Sequence, residues 1–275
     1  MSDTKRVYAI GGIGGSGTRV IAELLMRLGY FMGDDLNKSN DNLLFTLLFK
    51  RESILVATNE EFETLLRIFL KHHSLGEPLS NEEFSFVSAL ASKERAHHSK
   101  EWLQKRLPPL ARSHKHTLWG FKEPNSHIVI ERLFEYMPQL HYIYLYRDGR
   151  DMAYSSNQNQ LNLWGAIFAN NKEFKPNVKN SLKYWLKVHT RVKQLCSRYS
   201  KRILMVDFDK LCLDPESQLT KIATFMQKDK DELLSYRKLI KAPPSIGRYK
   251  QHPLSNFDPD DLKKIEKIYN TTHSE

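Results

Sequence analysis

The chain has 275 residues, of which 40% are hydrophobic and 27% charged, and it carries a formal net charge of +10. No stretch approaches the roughly 20 apolar residues of a membrane span, so one large globular domain over residues 1–275 is expected. Residues 1–6 form a polar lead-in rather than a signal peptide, which predicts a cytoplasmic protein. Cys196 and Cys212 are the only cysteines and lack metal-ligand spacing, so we expect neither a disulfide framework nor a bound metal.

The first predicted element is a short β-strand over residues 7–10 (VYAI), which ends at a glycine-rich loop. Helical periodicity follows, with apolar residues at positions 20, 21, 24, 25 and 28. Backbone N–H groups of such a loop converge on one point, and the next helix presents its unpaired N–H groups and partial positive charge there. The order strand, loop, helix therefore predicts a site for an anion such as phosphate.

The P-loop of nucleotide hydrolases, G-x-x-x-x-G-K-[ST], fits this segment only in part. Gly12 and Gly17 have the required spacing, but Thr18 and Arg19 occupy the positions of the Lys and the Ser or Thr. Without that lysine and the magnesium-binding hydroxyl, the usual apparatus of a kinase or nucleotide hydrolase is incomplete. A P-loop kinase or nucleotide hydrolase therefore remains only as an alternative.

The dinucleotide fingerprint G-x-G-x-x-G is matched by Gly12, Gly14 and Gly17. It also needs an acidic residue that ends a second strand about 20 residues further on. Asp34 and Asp35 are too close to the loop and follow a glycine rather than a strand. The sequence therefore does not predict a dinucleotide site.

The middle of the chain is predicted to be a helical insertion over about residues 37–116, without an obvious strand. Apolar periodicity predicts its helices over residues 38–51, 60–72 and 81–106. The α/β alternation then resumes, with a helix over residues 126–137 and strands over residues 117–121, 141–146 and 202–208.

Arg147 directly follows the strand predicted over residues 141–146 (HYIYLY). It therefore lies at the carboxyl end of that strand, where open α/β sheets bind ligands. Ser155 comes eight residues later, about two turns along the next predicted helix, and could reach the same anion.

The positive charge is concentrated between residues 172 and 202, where ten Lys or Arg residues accompany a single acid, Glu173. Four of the cations recur every four residues and predict one basic stripe along a helix: Lys179, Lys183, Lys187 and Arg191. The stripe is either a solvated face or a surface for a polyanion or anionic substrate. A nucleic acid is not the expected partner, because no recognised binding module for it is present.

Four separate segments resemble, in order, those of sulfotransferases that use 3′-phosphoadenosine 5′-phosphosulfate (PAPS), and the resemblance is closest to bacterial and carbohydrate-modifying members. The segments are residues 14–20 (GGSGTRV), 119–124 (WGFKEP), 147–155 (RDGRDMAYS) and 245–250 (SIGRYK). The resemblance implies an α/β, three-layer, P-loop-like fold, with a central, mostly parallel sheet flanked by helices and the helical insertion.

The resemblance also implies which residues bind PAPS, or its product 3′-phosphoadenosine 5′-phosphate (PAP). The residues implied for the 5′-phosphate and the sulfate are Gly14, Gly15, Ser16, Gly17, Thr18 and Arg19. Those implied for the 3′-phosphate and for the loop that closes over the nucleotide are Arg147, Ser155, Gly247, Arg248 and Tyr249.

One loop position departs from the family pattern, because Gly15 stands where many members carry a Lys or Arg that touches the transferring sulfuryl group. Lys122 is the first candidate for the missing catalytic cation, since it matches a lysine that approaches the sulfuryl group in relatives. Arg19 is the second candidate, although the 5′-phosphate is its more natural ligand.

A general base should accept the proton of the acceptor, and relatives use His or Glu. Asp41 is our choice, because its loop follows the first βα unit and should border the cleft; Asp41 is equally compatible with an N-cap role. The alternatives that remain open are Glu123, Asp34, Asp35 and His127.

The function expected from these features is direct in-line transfer of the sulfuryl group from PAPS to a hydroxyl or amine, without a covalent enzyme intermediate and without a metal. The expected acceptor is a small molecule or carbohydrate, with anionic acceptors included because of the basic stripe. A polyanion-binding protein on a decayed enzyme scaffold is the other alternative.

Overall fold

A computed structural model describes residues 6–93, 95, 97–107 and 115–271. The chain forms two compact units. The first unit comprises Met1–Gly12 and Thr18–Ile143, and the second comprises Ile13–Gly17 and Tyr144–Glu275. Whether residues 1–275 fold as a single domain stays a prediction.

One parallel sheet runs through the chain, with strands in the order β2-β1-β3-β4. The strands are β1 (Val7–Gly12), β2 (Gly120–Lys122), β3 (Leu140–Tyr146) and β4 (Ile203–Asp207). Every residue of β1 and β3 is buried, as expected of parallel strands that are covered on both faces. The prediction of an α/β fold with a parallel sheet flanked by helices is confirmed.

The described residues of the first unit form β1, β2, part of β3 and six α-helices. These helices are α1 (Thr18–Arg27), α2 (Leu43–Phe49), α3 (Asn59–Leu70), α4 (Asn81–Ala91), α5 (Lys100–Gln104) and α6 (Ile130–Tyr136). Helix α1 packs on β1 and β2. In the pairing of those strands Ala9 lies opposite Phe121 and Ile10 opposite Lys122, so Lys122 ends β2 instead of following it.

Local capping explains where the helices of the insertion begin and end. The helix predicted over residues 38–51 begins only at Leu43, because the side chain of Asn42 caps it by accepting the N–H of Phe45 at 2.8 Å. Asp41 is therefore not the N-cap. The helix predicted over residues 81–106 is two helices, because Ser80 caps α4 and Ser99 separately caps α5.

Where the structure describes it, the second unit holds the loop at residues 13–17, the end of β3, strand β4 and seven α-helices. The helices are α7 (Gly149–Ala153), α8 (Asn159–Ala169), α9 (Val178–Arg198), α10 (Phe208–Leu213), α11 (Pro215–Met226), α12 (Lys230–Ser235) and α13 (Pro259–Thr271). Helix α9 carries the predicted basic stripe and packs on α7 so closely that a Cβ at Gly149 would lie 2.6 Å from the Trp185 ring. Helices α9, α10 and α11 also pack on β4.

Candidate functional site

The glycine-rich loop turns sharply between β1 and α1. The N–H of Ser16 donates to the carbonyl of Ile13 at 3.1 Å, which closes a tight turn. Gly15 and Gly17 have φ angles of +91° and +78°, in the left-handed region that glycine adopts without a steric penalty. Helix α1 begins at Thr18, which is buried, while Arg19 is exposed. The predicted order strand, loop, helix is therefore present at the expected residues.

The loop lies against the segment that follows β3. A Cβ atom at Gly15 would lie 3.3 Å from Met152 Cε and 3.7 Å from Ser155 Oγ, and one at Gly14 would lie 3.0 Å from Asn157 Nδ2. Two of the four segments with family resemblance are thus in contact within the second unit. Ser155 is half-buried beside the position where many sulfotransferases carry a cation.

Gly17 packs against the ring of Phe208, the first residue of α10. A Cβ at Gly17 would lie 2.2 Å from the Phe208 ring, a distance that real Cβ atoms do not reach. Only glycine therefore satisfies both the left-handed backbone and the close approach of the ring at this position.

Ser16 has the one loop side chain that is fully buried, and its Oγ has no hydrogen-bond partner in the described part of the chain. Buried hydroxyls almost always have a partner. A phosphate or sulfate oxygen would accept a hydrogen bond from this hydroxyl, and it would also accept from the N–H groups at the start of α1. The loop therefore fits an oxyanion.

Arg147 is the centre of a second cluster, and its side chain is only 2% exposed. Its Nη1 donates to Ser245 Oγ at 3.0 Å. Its Nη2 lies 3.5 Å from Asp151 Oδ2, and its Nε lies 3.5 Å from Asp209 Oδ1. Burial raises the pKa of Asp209, and the charge of Arg147 opposes that rise. The guanidinium of Arg147 thus contacts two carboxylates and one hydroxyl.

Asp151 joins Arg147 to the loop at residues 245–249. Its Oδ2 accepts the N–H of Gly247 at 2.6 Å, and its Oδ1 accepts the N–H of Tyr249 at 3.0 Å. The positive φ of Gly247, +76°, turns the loop so that both N–H groups face one carboxylate. Asp151 was not among the predicted site residues; its position four residues after Arg147 was the available signal.

Arg248 lies over the end of α7, where its Nη1 donates to the carbonyl of Tyr154 at 3.1 Å. Burial and the neighbouring charge of Arg147 lower the pKa of Arg248. Tyr249 stacks under a different arginine, Arg150, whose guanidinium carbon lies 4.1 Å from the ring centre. Arg147 and Arg248 therefore place positive charge near Tyr154, the residue that precedes Ser155.

In the first unit, the two predicted catalytic residues form an ion pair. Lys122 is only 2% exposed, and its Nζ is paired with Asp41 Oδ1 and donates to the carbonyl of Ser39 at 3.0 Å. Asp41 Oδ2 also accepts from Asn37 Nδ2 at 2.7 Å. Lys122 and Asp41 are therefore neighbours, although 80 residues separate them along the chain.

A family model described as the sulfotransferase family matches residues 10–232. The chain belongs to the sulfotransferase family. This match covers the loop, Lys122, and the segment from Arg147 to Ser155, but not the loop at residues 245–249. Membership of the family supports a sulfuryl-transfer reaction.

Solved sulfotransferase structures resemble the chain over most of its length. Sulfotransferase STF9 from Mycobacterium avium is 15% identical, with 98% of this chain and 77% of that chain covered and a TM-score of 0.48. The sulfotransferase domain of the Synechococcus PCC 7002 olefin synthase is 16% identical, with coverages of 97% and 96% and a TM-score of 0.48. Mouse SULT7A1, solved in complex with PAP, is 11% identical, with coverages of 98% and 85% and a TM-score of 0.39. A comparison with curated proteins gives no match.

Most other base candidates of this sulfotransferase have structural partners. Glu123 caps the 3₁₀-helix Pro124–Ile128 by accepting from Asn125, and its Oε1 lies 3.4 Å from Lys50 Nζ. Asp35 is 2.6 Å from Arg106 Nε, and Asp34 is 3.8 Å from His72 Nε2. His127 is fully buried.

Two features, a membrane-spanning helix and a cluster of metal ligands, are absent from the described residues of this sulfotransferase. None of its helices within these residues is long and apolar enough to cross a membrane. Within the same ranges, no group of three or more His, Cys, Asp or Glu residues is arranged to hold a metal ion.

Proposed function

We propose that the chain moves the sulfuryl group of PAPS to a hydroxyl or amine by direct in-line transfer. The proposal rests on the close packing of Gly15 and Ser155. This contact brings the glycine-rich loop next to the segment that begins at Arg147. Asp151, in the same segment as Ser155, connects these residues to the loop at residues 245–249 by hydrogen bonds. Three segments that lie far apart in the sequence thus surround one region of the second unit.

The 5′-phosphate and sulfate would be held by the loop and the start of α1. The N–H groups of residues 15–18 and the hydroxyls of Ser16 and Thr18 are the proposed donors. The buried, unpartnered Oγ of Ser16 supports this role. Arg19, exposed on the first turn of α1, would add a charge to the 5′ end.

The 3′-phosphate would be held by Arg147, Ser155 and Arg248, with the backbone around Gly247 and Tyr249. Arginine binds phosphate oxygens through paired, charge-assisted hydrogen bonds. Ser245 orients one edge of the Arg147 fork in this structure. A site with positive charge for a 3′-phosphate would distinguish PAPS from ordinary adenine nucleotides.

PAPS supplies the sulfuryl group: the bond from sulfur to the bridging oxygen breaks as the bond from the acceptor oxygen or nitrogen to sulfur forms. The chain must then stabilise the negative charge of the leaving oxygen and accept one proton. We assign the charge to Lys122, with Arg19 as the second candidate, and the proton to Asp41.

The ion pair between Lys122 and Asp41 supports a mechanism in which proton acceptance by Asp41 and charge stabilisation by Lys122 are coupled. While Asp41 is ionised, it neutralises much of the Lys122 charge. A proton accepted by Asp41 would remove that neutralisation and leave the full charge of Lys122 available for the leaving oxygen. Proton acceptance and charge stabilisation would therefore strengthen each other.

The acceptor is proposed to be a small molecule or a carbohydrate, anionic ones included. The direct test is transfer of labelled sulfate from PAPS to a panel of sugars, phenols, lipids and amines. We expect at least one labelled product. Failure across the panel, combined with tight and salt-dependent heparin binding, would favour the polyanion-binding alternative.

A binding test separates the PAPS site from the kinase alternative. PAP should raise the melting temperature, whereas ATP with magnesium should raise it less. Ser16→Ala should weaken PAP binding about threefold to tenfold without loss of stability, because its hydroxyl makes no hydrogen bond within the described residues. Ser235→Ala in α12 is the matched control. Stabilisation by ATP alone would contradict the proposal.

A further inference from the structure

The second unit contains a cavity separate from the residues proposed to bind PAPS. Its volume is about 410 Å³, and its floor includes Tyr146 and Asp207, the last residues of β3 and β4. Each directly precedes a residue of the candidate site, Arg147 or Phe208. The lining includes neither Arg147 nor Phe208, and no residue of the glycine-rich loop.

The cavity has a positive rim built by three different helices. Lys193 of α9, Lys210 of α10 and Lys221 of α11 line it. Among the described residues that line the cavity, Asp207 is the only one with a carboxylate. This carboxylate is already bound by the backbone of α10, because its Oδ1 accepts the N–H of residue 209 at 3.0 Å and that of residue 210 at 3.2 Å. Three lysines therefore line a cavity in which the carboxylate of Asp207 is already hydrogen-bonded to the backbone.

His189 provides an unused polar group in the wall of the cavity. It is 3% exposed, its ring stacks on Trp185 at 4.7 Å, and it meets the Tyr146 ring edge-on at 4.9 Å. Its Nδ1 is buried and has no hydrogen-bond partner among the residues the structure describes. Burial, assisted by Lys193, lowers the pKa of His189 to about 4, so the ring is neutral near pH 7 and can offer a single N–H.

We propose that this cavity binds a small organic oxyanion, whose charged group pairs with Lys193 and Lys221 and whose body covers His189 and Tyr146. An inorganic anion would fill only part of the space, whereas organic ligands commonly occupy pockets of roughly 300 to 1,000 Å³. Gln218, which is 8% exposed, adds to His189 and Asp207 a third buried polar side chain in the lining. The ligand class is a phosphate, sulfate or carboxylate on a small, partly apolar body.

This inference does not rest on the use of PAPS, since none of the lining residues belongs to the loop or to the Arg147 cluster. Phenyl phosphate is a suitable probe, because its phosphate suits the lysines and its ring suits the aromatic wall. Calorimetry measures the affinity, and the imidazole ¹⁵N resonances of His189, assigned by comparison with His189→Phe, report binding at this cavity alone.

The key variant is the double substitution Lys193→Gln with Lys221→Gln. Both lysines are exposed, so the fold should survive, and affinity for phenyl phosphate at the cavity should fall at least about tenfold. The matched control, Lys187→Gln with Lys201→Gln, removes the same charge from outside the cavity and should change the affinity less than about twofold.

His189→Phe keeps the stacked ring and breaks no hydrogen bond of Nδ1, so it should fold normally and weaken the probe about threefold or more. The proposal is overturned if the two double variants bind the probe equally well. It is also overturned if saturating phenyl phosphate leaves the His189 resonances unmoved, which would mean that the cavity holds water or an adventitious ion only. A negative result here leaves sulfate transfer from PAPS untouched, because that is measured separately.

Discussion

Two buried cations at strand ends are the contrasting features of this sulfotransferase. Lys122 ends β2 in the first unit, and Arg147 follows β3 in the second unit. Each side chain is only 2% exposed, so each charge must be balanced by its surroundings. The two charges are balanced by different numbers of carboxylates.

Arg147 is paired with two carboxylates. Asp151 and Asp209 both lie 3.5 Å from its nitrogens, and Asp151 also holds two backbone N–H groups of the loop at residues 245–249. Lys122 has a single carboxylate partner, Asp41, and one carbonyl. The arginine belongs to a network of several partners, whereas the described partners of the lysine are one carboxylate and one carbonyl.

This difference suggests separate tasks for the two cations. A planar, permanently charged fork with several fixed partners suits the binding of a phosphate. A point charge whose neutralisation can be removed by one proton suits a charge that appears only during the reaction. We therefore expect substitutions of Arg147 to change affinity and substitutions of Lys122 to change turnover.

Lys122→Ala is the largest expected effect and the sharpest test of the contrast. Loss of one preorganised cation typically costs about 10² to 10³ in rate, so kcat should fall by that factor while PAP affinity changes little. Single-turnover transfer of labelled sulfate measures the rate, and calorimetry with PAP measures the affinity. Arg27→Gln, which breaks an exposed helix pair with Glu23, is the control.

Equal losses of turnover and affinity in Lys122→Ala would make it a binding residue. Asp41→Asn then separates the roles within the pair. If Asp41 is the base, kcat falls although Lys122 keeps its charge; if Asp41 only positions Lys122, the amide still holds the ammonium and kcat is nearly preserved.

Arg147→Ala comes next and should weaken PAP binding more than tenfold, because it would leave a phosphate without its charged donor. It also leaves Asp151 and Asp209 buried without their cation, so stability must be measured beside affinity. Arg147→Lys restores the charge without the fork and should recover only part of the affinity. Unchanged affinity in a folded Arg147→Ala protein would remove Arg147 from the site.

The parts of the site that could be predicted from the sequence are the local ones. The order of β1, loop and α1 follows from an apolar run, closely spaced glycines and a 3.6-residue period, and the structure places it within two residues of the prediction at each end. Arg147 at the end of β3 follows from the same reasoning. Both depend on residues that are neighbours along the chain.

The specific contacts within the site could not be predicted from local patterns, because the residues that form them come from remote positions. Lys122 and Asp41 are 81 positions apart, and Arg147 and Ser245 are 98 apart. Periodicity carries no information on such pairs. The cap at Asn42 was missed for a related reason: Asp41 and Asn42 are both good caps by type, and only the tertiary bond from Asn42 Nδ2 to the carbonyl of Met32 at 2.9 Å fixes which is used.

Asp151→Asn has the smallest expected effect and tests whether the Arg147 network extends to the loop at residues 245–249. The amide keeps the shape of the carboxylate, but it has one acceptor oxygen for the two N–H groups of Gly247 and Tyr249. One N–H group then faces an NH₂ donor, so the loop loses a charge-assisted bond, whose net contribution is about 1.5 to 3 kcal/mol.

Part of that loss is recovered by solvent, because the loop is half-buried, so PAP affinity should fall only about threefold to tenfold. Amide hydrogen exchange at Gly247 and Tyr249 should accelerate, and kcat at saturating PAPS should stay near that of the unmodified protein. Asp229→Asn, at the exposed cap of α12, is the matched control. If exchange at both amides is unchanged while kcat falls, Asp151 acts on the reaction itself and the division of tasks between the two cations fails.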